Sequence, residues 1–338
     1  MTQDQNLISA QELQVIAEKV LTNVGFGIDD ARLIGQVLVW ADLRGHESHG
    51  VARLLRYREF VLRGDMNPQA KPHVTLDLGA LIQIDSERAS GPVAMKIGVE
   101  NALRGARKCG AAWVLVGQTT HTGPIGYYVD MIAREGMIGM AFAAGTPLMA
   151  YHGTAGATLS TSPFAIGVPM QGEAPFVLDM ATSNAAHGKI RVAERHGRAI
   201  PEGWALTAQG EPTTNAAEAK IMMPLGGPKG SGLALAFEMI CSIGTSVPIL
   251  QNALTQKSSP HIQNAAICAI DVGQLRPIDG YKTSISELGA LIKAQPRAKD
   301  VEELLIPGER AHRTWVERME SGVPISPKIL AQLKAVMG

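Results

Sequence analysis

The feature that most limits the fold is a change of hydrophobic period along the chain. Apolar residues recur at helical spacing near both ends, and they alternate or run on in the middle. Ser9-Ala-Gln-Glu12 reads as a capping box, and Leu13, Ile16, Ala17, Val20, Leu21 and Val24 then share one helical face. A second helix is expected from about Asp29 to Leu43 and a third from Gly50 to near Gly64. Strands are predicted over His73–Ile84, Ala111–Val116, Met137–Ala144, Phe164–Pro169, Phe176–Asp179 and Ala265–Val272. Helices at Val93–Lys108, Gly126–Glu135, Ala185–Arg195 and Leu233–Ile243 fall between them, with Arg198–Thr214 and the segment from Gly244 to Ala265 as loops. From about Ser284 the pattern is helical again. This is not the regular βαβ alternation of a doubly wound sheet. It predicts an α/β (α+β) protein with a helical unit, 1–115 with 284–338, around a strand-rich unit, 116–283.

Bulk properties narrow the function. At 338 residues, with 46 % hydrophobic and 18 % charged residues, the chain is long enough for two or three domains. A formal net charge of zero gives no basic footprint for nucleic acid. No apolar run approaches the roughly 18 residues that suggest a membrane span, and the N-terminus lacks the pattern of a signal peptide. Cys109, Cys241 and Cys268 are far apart and odd in number, so reduced thiols and a cytoplasmic setting are expected.

Chemistry-bearing residues concentrate in Asp42–Arg58, read as D-L-R-G-H-E-S-H-G-V-A-R-L-L-R-Y-R. His46 and His49 flank Ser48, and Arg53, Arg56 and Arg58 follow. Imidazole titrates near neutrality, and guanidinium grips a carboxylate with two parallel bonds. Together they suit a proton-transfer site that holds a small acid, although a solvated helix–turn–helix corner has the same composition. His121 follows a buried strand and precedes Pro124, which suits the first turn of a helix. It is either a displayed acid/base or a surface histidine. His46, His49, His121, His152 and His187 could instead ligate a metal, making a metal-dependent hydrolase or lyase the alternative from another class. No H-E-x-x-H spacing supports that, and no G-x-S-x-G elbow supports a serine hydrolase on Ser48.

The dinucleotide fingerprint G-x-G-x-x-G is absent, since Gly25-Phe-Gly27 sits between two expected helices. Leu225-Gly-Gly-Pro-Lys-Gly-Ser-Gly232 is either an anion cradle with Lys229 at a helix N-terminus or a tight loop. Asp179 either caps a helix or accepts from a ribose hydroxyl. Arg191 and Arg195 either meet a 2′-phosphate or are solvated.

Several segments, in order, resemble the malate/L-lactate dehydrogenase group of oxidoreductases that lack a Rossmann fold. They are A-D-L-R-G-H-E-S-H-G-V-A-R-L (41–54), H-T-G-P-I-G-Y-Y (121–128), S-P-F-A-I-G-V-P (162–169) and V-L-D-M-A-T-S (177–183). G-K-I (188–190), I-P-E-G-W-A-L (200–206), L-G-G-P-K-G-S-G-L-A-L (225–235) and I-P-G-E-R (306–310) complete the series. The group includes ureidoglycolate, sulfolactate and diketogulonate oxidoreductases and reductases of cyclic imino acids. The resemblance implies a homodimer whose non-Rossmann nicotinamide domain has a mixed, largely antiparallel sheet. It implies hydride transfer between NAD or NADP and C2 of a small 2-hydroxy or 2-oxo acid, with a cyclic ketimine acid as the alternative substrate. His121 and His49 would then be the acid/base residues, and Ser48, Arg53 and Tyr57 the substrate contacts. Ser162, Asp179, Met180, Ala181, Pro228, Lys229, Gly308, Glu309 and Arg310 would line the cofactor. The chain departs from the usual G-T-N-P of the middle loop, carrying Ser160-Thr161-Ser162-Pro163 instead.

Overall fold

The computed structural model describes residues 6–172, 174–256 and 261–337. Helices α1 (Ala10–Thr22), α2 (Ile28–Leu43) and α3 (Arg53–Leu62) form a cluster at the N-terminal end. The Ser9 hydroxyl accepts from the Glu12 amide at 3.1 Å, so the first helix starts where the capping box places it. Leu13, Ile16, Val20 and Leu21 of α1 bury against Ile34 and Leu38 of α2 and Leu54, Tyr57 and Phe60 of α3. The C-terminal end closes this core: Val323, Ile325, Leu330 and Leu333 join it. Strand β1 (Asn6–Ile8) pairs antiparallel with the late strand at Val323–Ile325, placing Asn6 opposite Ile325.

A second core surrounds a seven-stranded sheet. Its strands are β2 (His73–Asp77), β3 (Leu81–Asp85), β4 (Ala111–Thr119), β5 (Ile138–Ala144), β8 (Phe164–Val168), β9 (Phe176–Met180) and β13 (Gln263–Ile270), in the order β2-β3-β4-β13-β5-β8-β9. Only β3 and β4 run parallel; the other neighbours are antiparallel, which gives the mixed, largely antiparallel sheet expected. Helices α4 (Gly91–Cys109) and α5 (Gly126–Arg134) lay Val99, Ala102, Tyr128, Val129 and Ile132 on one face. Each side of β4 is paired, to β3 and to β13, so the boundary expected between residues 115 and 116 lies within a strand interior to the sheet.

A smaller five-stranded sheet joins β6 (Met149–Ala150), β7 (Ala157–Leu159), β10 (Ala205–Leu206), β11 (Pro212–Thr213) and β12 (Ile221–Met222). It packs against α6 (His187–Arg195), α7 (Pro228–Glu238) and α8 (Ile249–Leu254), with Met149, Leu159, Ile190, Ala234 and Leu250 in its core. Two expected loops are thus partly regular. Arg198–Thr214 supplies β10 and β11, whose strands are too short to show an alternation. The segment from Gly244 to Ala265 holds α8, which buries Ile249 and Leu250, too few residues to set a period; residues 257–260 lie outside the described residues. Helix α9 (Ile278–Lys293) begins before Ser284, and α10 (Glu309–Ser321), β14 (Val323–Ile325) and α11 (Pro327–Ala335) finish the chain.

Gly91 opens α4 directly beneath the backbone of His121 and Thr122, and a Cβ there would run into both. Backbone cannot swing aside as a long side chain can. Gly91→Ala is expected to destabilise the protein by about 1–3 kcal/mol, the usual cost of overpacking, seen as a lower thermal midpoint by circular dichroism.

Candidate active site

The loop between α2 and α3 is built on a buried carboxyl. Asp42, only 2 % exposed, accepts from the Val51 amide at 2.7 Å across the turn. Arg318 of α10 donates to the Asp42 carbonyl at 2.5 Å and pairs with Glu47 at 3.2 Å. Between these ties, Glu47–His49 makes one 3-10 turn that presents Ser48 and His49. The Ser48 hydroxyl lies 2.9 Å from His49 Nδ1, and Arg53 Nε donates to the Ser48 carbonyl at 2.6 Å. Arg53 makes no other hydrogen bond among the described residues, so the rest of its fork is available to a carboxylate.

His121 arrives from the sheet. Asn264 and Gln263, at the start of β13, accept from the Gln118 and Thr122 amides, both at 2.9 Å. Tyr128 of α5 donates to the Thr122 carbonyl at 2.6 Å. The loop so held stacks the His121 ring on that of His49, centroids 5.6 Å apart and planes 24° apart. Tyr57 reaches across from α3. Its hydroxyl lies 3.0 Å from His121 Nδ1 and donates to the His121 carbonyl at 3.1 Å. The Gly123 amide also points at Nδ1, at 3.2 Å. With Nδ1 engaged by Tyr57 and Gly123, Nε2 is the nitrogen left for a reacting group.

Burial dominates the electrostatics. It pushes His49 down to about 3, helped by Arg53 and His46, and holds His121 well below the usual imidazole range, helped by Arg53 and His49. Both rings are therefore neutral near pH 7 in this state. An acid group gripped by Arg53 would supply the opposite charge and raise both. His46 is exposed, takes no part in the ring stack, and is held below the usual imidazole range by burial of its ring and by Arg44, Arg310 and Arg318.

The expected cofactor residues fall into two places. Thr182 donates from its amide and hydroxyl to the Thr161 carbonyl at 3.0 and 2.9 Å, and its own carbonyl accepts from the Leu225 amide at 2.8 Å. This gathers Ser162, Met180, Ala181, Pro228 and Lys229 around the start of α7. Gly226 and Gly227 have φ of +55° and +61° there, and Lys229 is exposed in the first helical turn. Ser162 is strained at φ +22°, and its buried hydroxyl has no hydrogen-bond partner among the described residues. An unpartnered hydroxyl, a helix N-terminus and a lysine fit the phosphate and amide groups of a nicotinamide dinucleotide. Asp179 is a cap, but of a distant helix: its carboxylate accepts from the Gly126 amide at 2.9 Å, and burial raises it to about 6. It ties β9 to α5, the helix that follows His121. Gly308, Glu309 and Arg310 sit at the other end of β9, where the Val177 amide donates to the Pro307 carbonyl at 3.2 Å. Glu309 there is engaged by Lys293 at 2.7 Å and by the Ile306 amide at 3.0 Å, and Arg310 is exposed.

His152 lies at the α7 cradle, its amide 2.9 Å from the Ser231 hydroxyl, apart from the His49–His121 pair. Among the described residues no group of three or more His, Cys, Asp or Glu is placed to hold a metal ion. No described helix is long and apolar enough to cross a membrane. Sequence reasoning missed Asp42, Gln263 and Asn264, which hold the two loops. Asn and Gln at a strand start carry no local signal, but the acid before Leu43-Arg44-Gly45 could have drawn notice as an interior charge on the buried face of α2.

A mixed α/β fold without the glycine fingerprint, carrying a desolvated histidine pair beside an arginine, defines a class of oxidoreductase distinct from doubly wound dehydrogenases. The family model for malate/L-lactate dehydrogenase matches residues 8–334, and the chain belongs to that family. The malate dehydrogenase of Pyrococcus abyssi is 35 % identical over 97 % of this chain and 93 % of its own. The NADP(+)-dependent (2R)-3-sulfolactate dehydrogenase of Chromohalobacter salexigens is 31 % identical over 97 % of each. The solved malate dehydrogenase of Pyrococcus horikoshii superposes with a TM-score of 0.89 at 30 % identity, over 98 % of this chain and 94 % of that one.

Burial, opposed by the Val51 amide, raises the Asp42 carboxyl from its ordinary 3.8 to about 7. Between those values the folded state holds the proton and the unfolded state releases it, so this group's contribution to stability falls as pH rises from about 4 to 7. Asp42→Asn is expected to flatten that slope in urea unfolding measured across the window. An unchanged slope would remove Asp42 as its source.

Proposed function

We propose that the chain is an NAD(P)-dependent oxidoreductase moving hydride between the nicotinamide C4 and C2 of a small 2-hydroxy or 2-oxo acid. The observation that carries this reading is the Tyr57–His121–His49 array next to the Arg53 fork. A bound dinucleotide supplies or accepts the hydride. Every other duty falls to side chains of this chain. Arg53 and Ser48 hold the substrate's carboxylate and fix which face of C2 is presented. His121 Nε2 gives or takes the proton on the C2 oxygen, with His49 stacked behind it as the second acid/base candidate. Tyr57 is fully buried and bonded to His121, so it acts on that ring rather than on the substrate. Because the Gly123 amide donates to Nδ1, that nitrogen acts as an acceptor and the neutral ring carries its proton on Nε2. That tautomer leaves the Nε2 proton to be given to the C2 oxygen.

The cofactor would rest on Ser162, Asp179, Met180, Ala181, Pro228 and Lys229, with Gly308, Glu309 and Arg310 at the far end of β9. The partition we favour follows the two cores: the terminal helical cluster carries the substrate wall, and the sheets carry the cofactor and His121. A homodimer is supported by apolar side chains exposed beyond α7, Met239 at 56 %, Ile243 at 53 % and Leu254 at 55 %. The free thiols of Cys109, Cys241 and Cys268 suit a reducing cytoplasm. Reduction of a cyclic ketimine acid is a second reading, favoured by His187-Gly188 lying against Ser48.

Separate His121→Asn and His49→Asn variants are expected to lose about 10²–10⁴-fold in turnover while staying folded. Tyr57→Phe is expected to lose less and to move the lower limb of the pH–rate profile, since it removes a hydrogen-bonding partner of the His121 ring. Full turnover in both histidine variants would overturn the assignment, and a 2-oxo acid assayed beside a cyclic ketimine acid separates the two substrates. Light scattering is expected to give twice the 35.9 kDa chain mass.

A further inference from the structure

The strand end that presents His121 carries one residue too many. Between β4 and β13, Gln263 lies opposite Thr119 and Ala265 opposite Val116, so three steps along β4 face two along β13. Gly117 and Gln118 make the bulge, and Gln118 has a left-handed backbone at φ +54°. A bulge re-aims the residues that follow it and takes an amide out of the ladder. Asn264 supplies the missing acceptor: its Oδ1 takes the Gln118 amide at 2.9 Å. Its Nδ2 donates to the Val247 carbonyl at 2.8 Å and to Ser242 Oγ at 3.1 Å. Ser242 donates in turn to Glu238 Oε2 at 2.8 Å. Glu238 Oε1 accepts from the Ile249 and Leu250 amides at 3.2 and 3.0 Å. A buried file of hydrogen bonds therefore runs from the His121 loop to a carboxylate, with every donor pointing the same way.

Glu238 is the last residue of α7, whose first turn holds Pro228 and Lys229. We propose that Glu238, Ser242 and Asn264 form a strut by which α7 sets the position of His121, so that all three are positioning residues for the proton transfer. This rests on the function proposed above and deepens it, since it joins the cofactor cradle at one end of α7 to the acid/base loop at the other, about 15 Å away along the helix. The three side chains are buried, and aligned bonds out of water polarise one another and hold their geometry more firmly than exposed ones. Between Glu238 and Thr245 the chain widens from α to π geometry over Met239–Ile243, a departure frequent at functional positions. The bulge also packs on the end of that turn: a Cβ on Gly117 would sit 3.2 Å from the Thr245 Cβ. A left-handed glutamine and a π turn are each unfavourable locally, and the strut is what they meet to form.

The test compares the intact full chain with Asn264→Ala and Ser242→Ala. Asn264→Ala is expected to lower kcat by about tenfold to a hundredfold, the cost of a misplaced reacting group, and to leave NAD(P)H affinity by tryptophan quenching unchanged. Ser242→Ala leaves the Gln118 amide satisfied, so it guards against misfolding, and its expected loss in kcat is about two- to tenfold, the worth of one hydrogen bond. A second readout needs no activity: the rate at which diethylpyrocarbonate modifies each histidine, followed by peptide mass. His121 is expected to react several-fold faster in both variants, while His312, stacked on Trp315 in α10, keeps its intact rate. An unchanged His121 rate in both variants overturns the proposal. So does an equal rise at His312, which would mean general loosening, or a measurable kcat that neither variant lowers. If the intact chain reduces neither a 2-oxo acid nor a cyclic ketimine acid while the variants still expose His121, the strut holds and the oxidoreductase reading fails.

Discussion

The contact on which the rest depends is the one between the Tyr57 hydroxyl and His121. Tyr57 belongs to the helical core and His121 to the end of a sheet strand, and each is set by its own packing. Their 3.0 Å approach to Nδ1 is therefore a junction between two separately built cores. Polar atoms buried at such a junction are costly unless satisfied, and here the tyrosine hydroxyl, the ring nitrogen, the Gly123 amide and the His121 carbonyl satisfy one another. The same closure that dries the site keeps both imidazoles neutral. The chemistry thus inherits its starting protonation state from packing rather than from a neighbouring acid.

Much of the fold was legible because long amphipathic elements announce themselves. Helices α1, α2 and α4 and strands β4, β5 and β13 bury enough apolar residues to set a period. The two-residue strands of the smaller sheet and the six-residue α8 do not, and they went unseen. Sheet order was likewise hidden: nothing local in Gln263–Ile270 says that it inserts between β4 and β5.

The site was legible as residue types and illegible as partnerships. His49, His121 and Arg53 stand out in sequence because few segments combine such groups, and the structure does bring them together. That Tyr57 serves the histidine, that Asp179 caps α5, and that Gln263 and Asn264 pin the His121 loop are long-range hydrogen bonds. Backbone amides take whichever acceptor the fold brings near, so such pairings leave no spacing to read.

The insertion of β13 also governs when the molecule can form. The strand at 263–270 separates β4 from β5, and the helical core waits for residues 323–333. A chain emerging from the ribosome must hold β4 and β5 as unsatisfied edges until most of it has been made. Long-range closure of this kind is slow and exposes pairing edges meanwhile. During synthesis the polypeptide is thus most vulnerable to association with other nascent chains after β5 is complete and before β13 has cleared the exit tunnel.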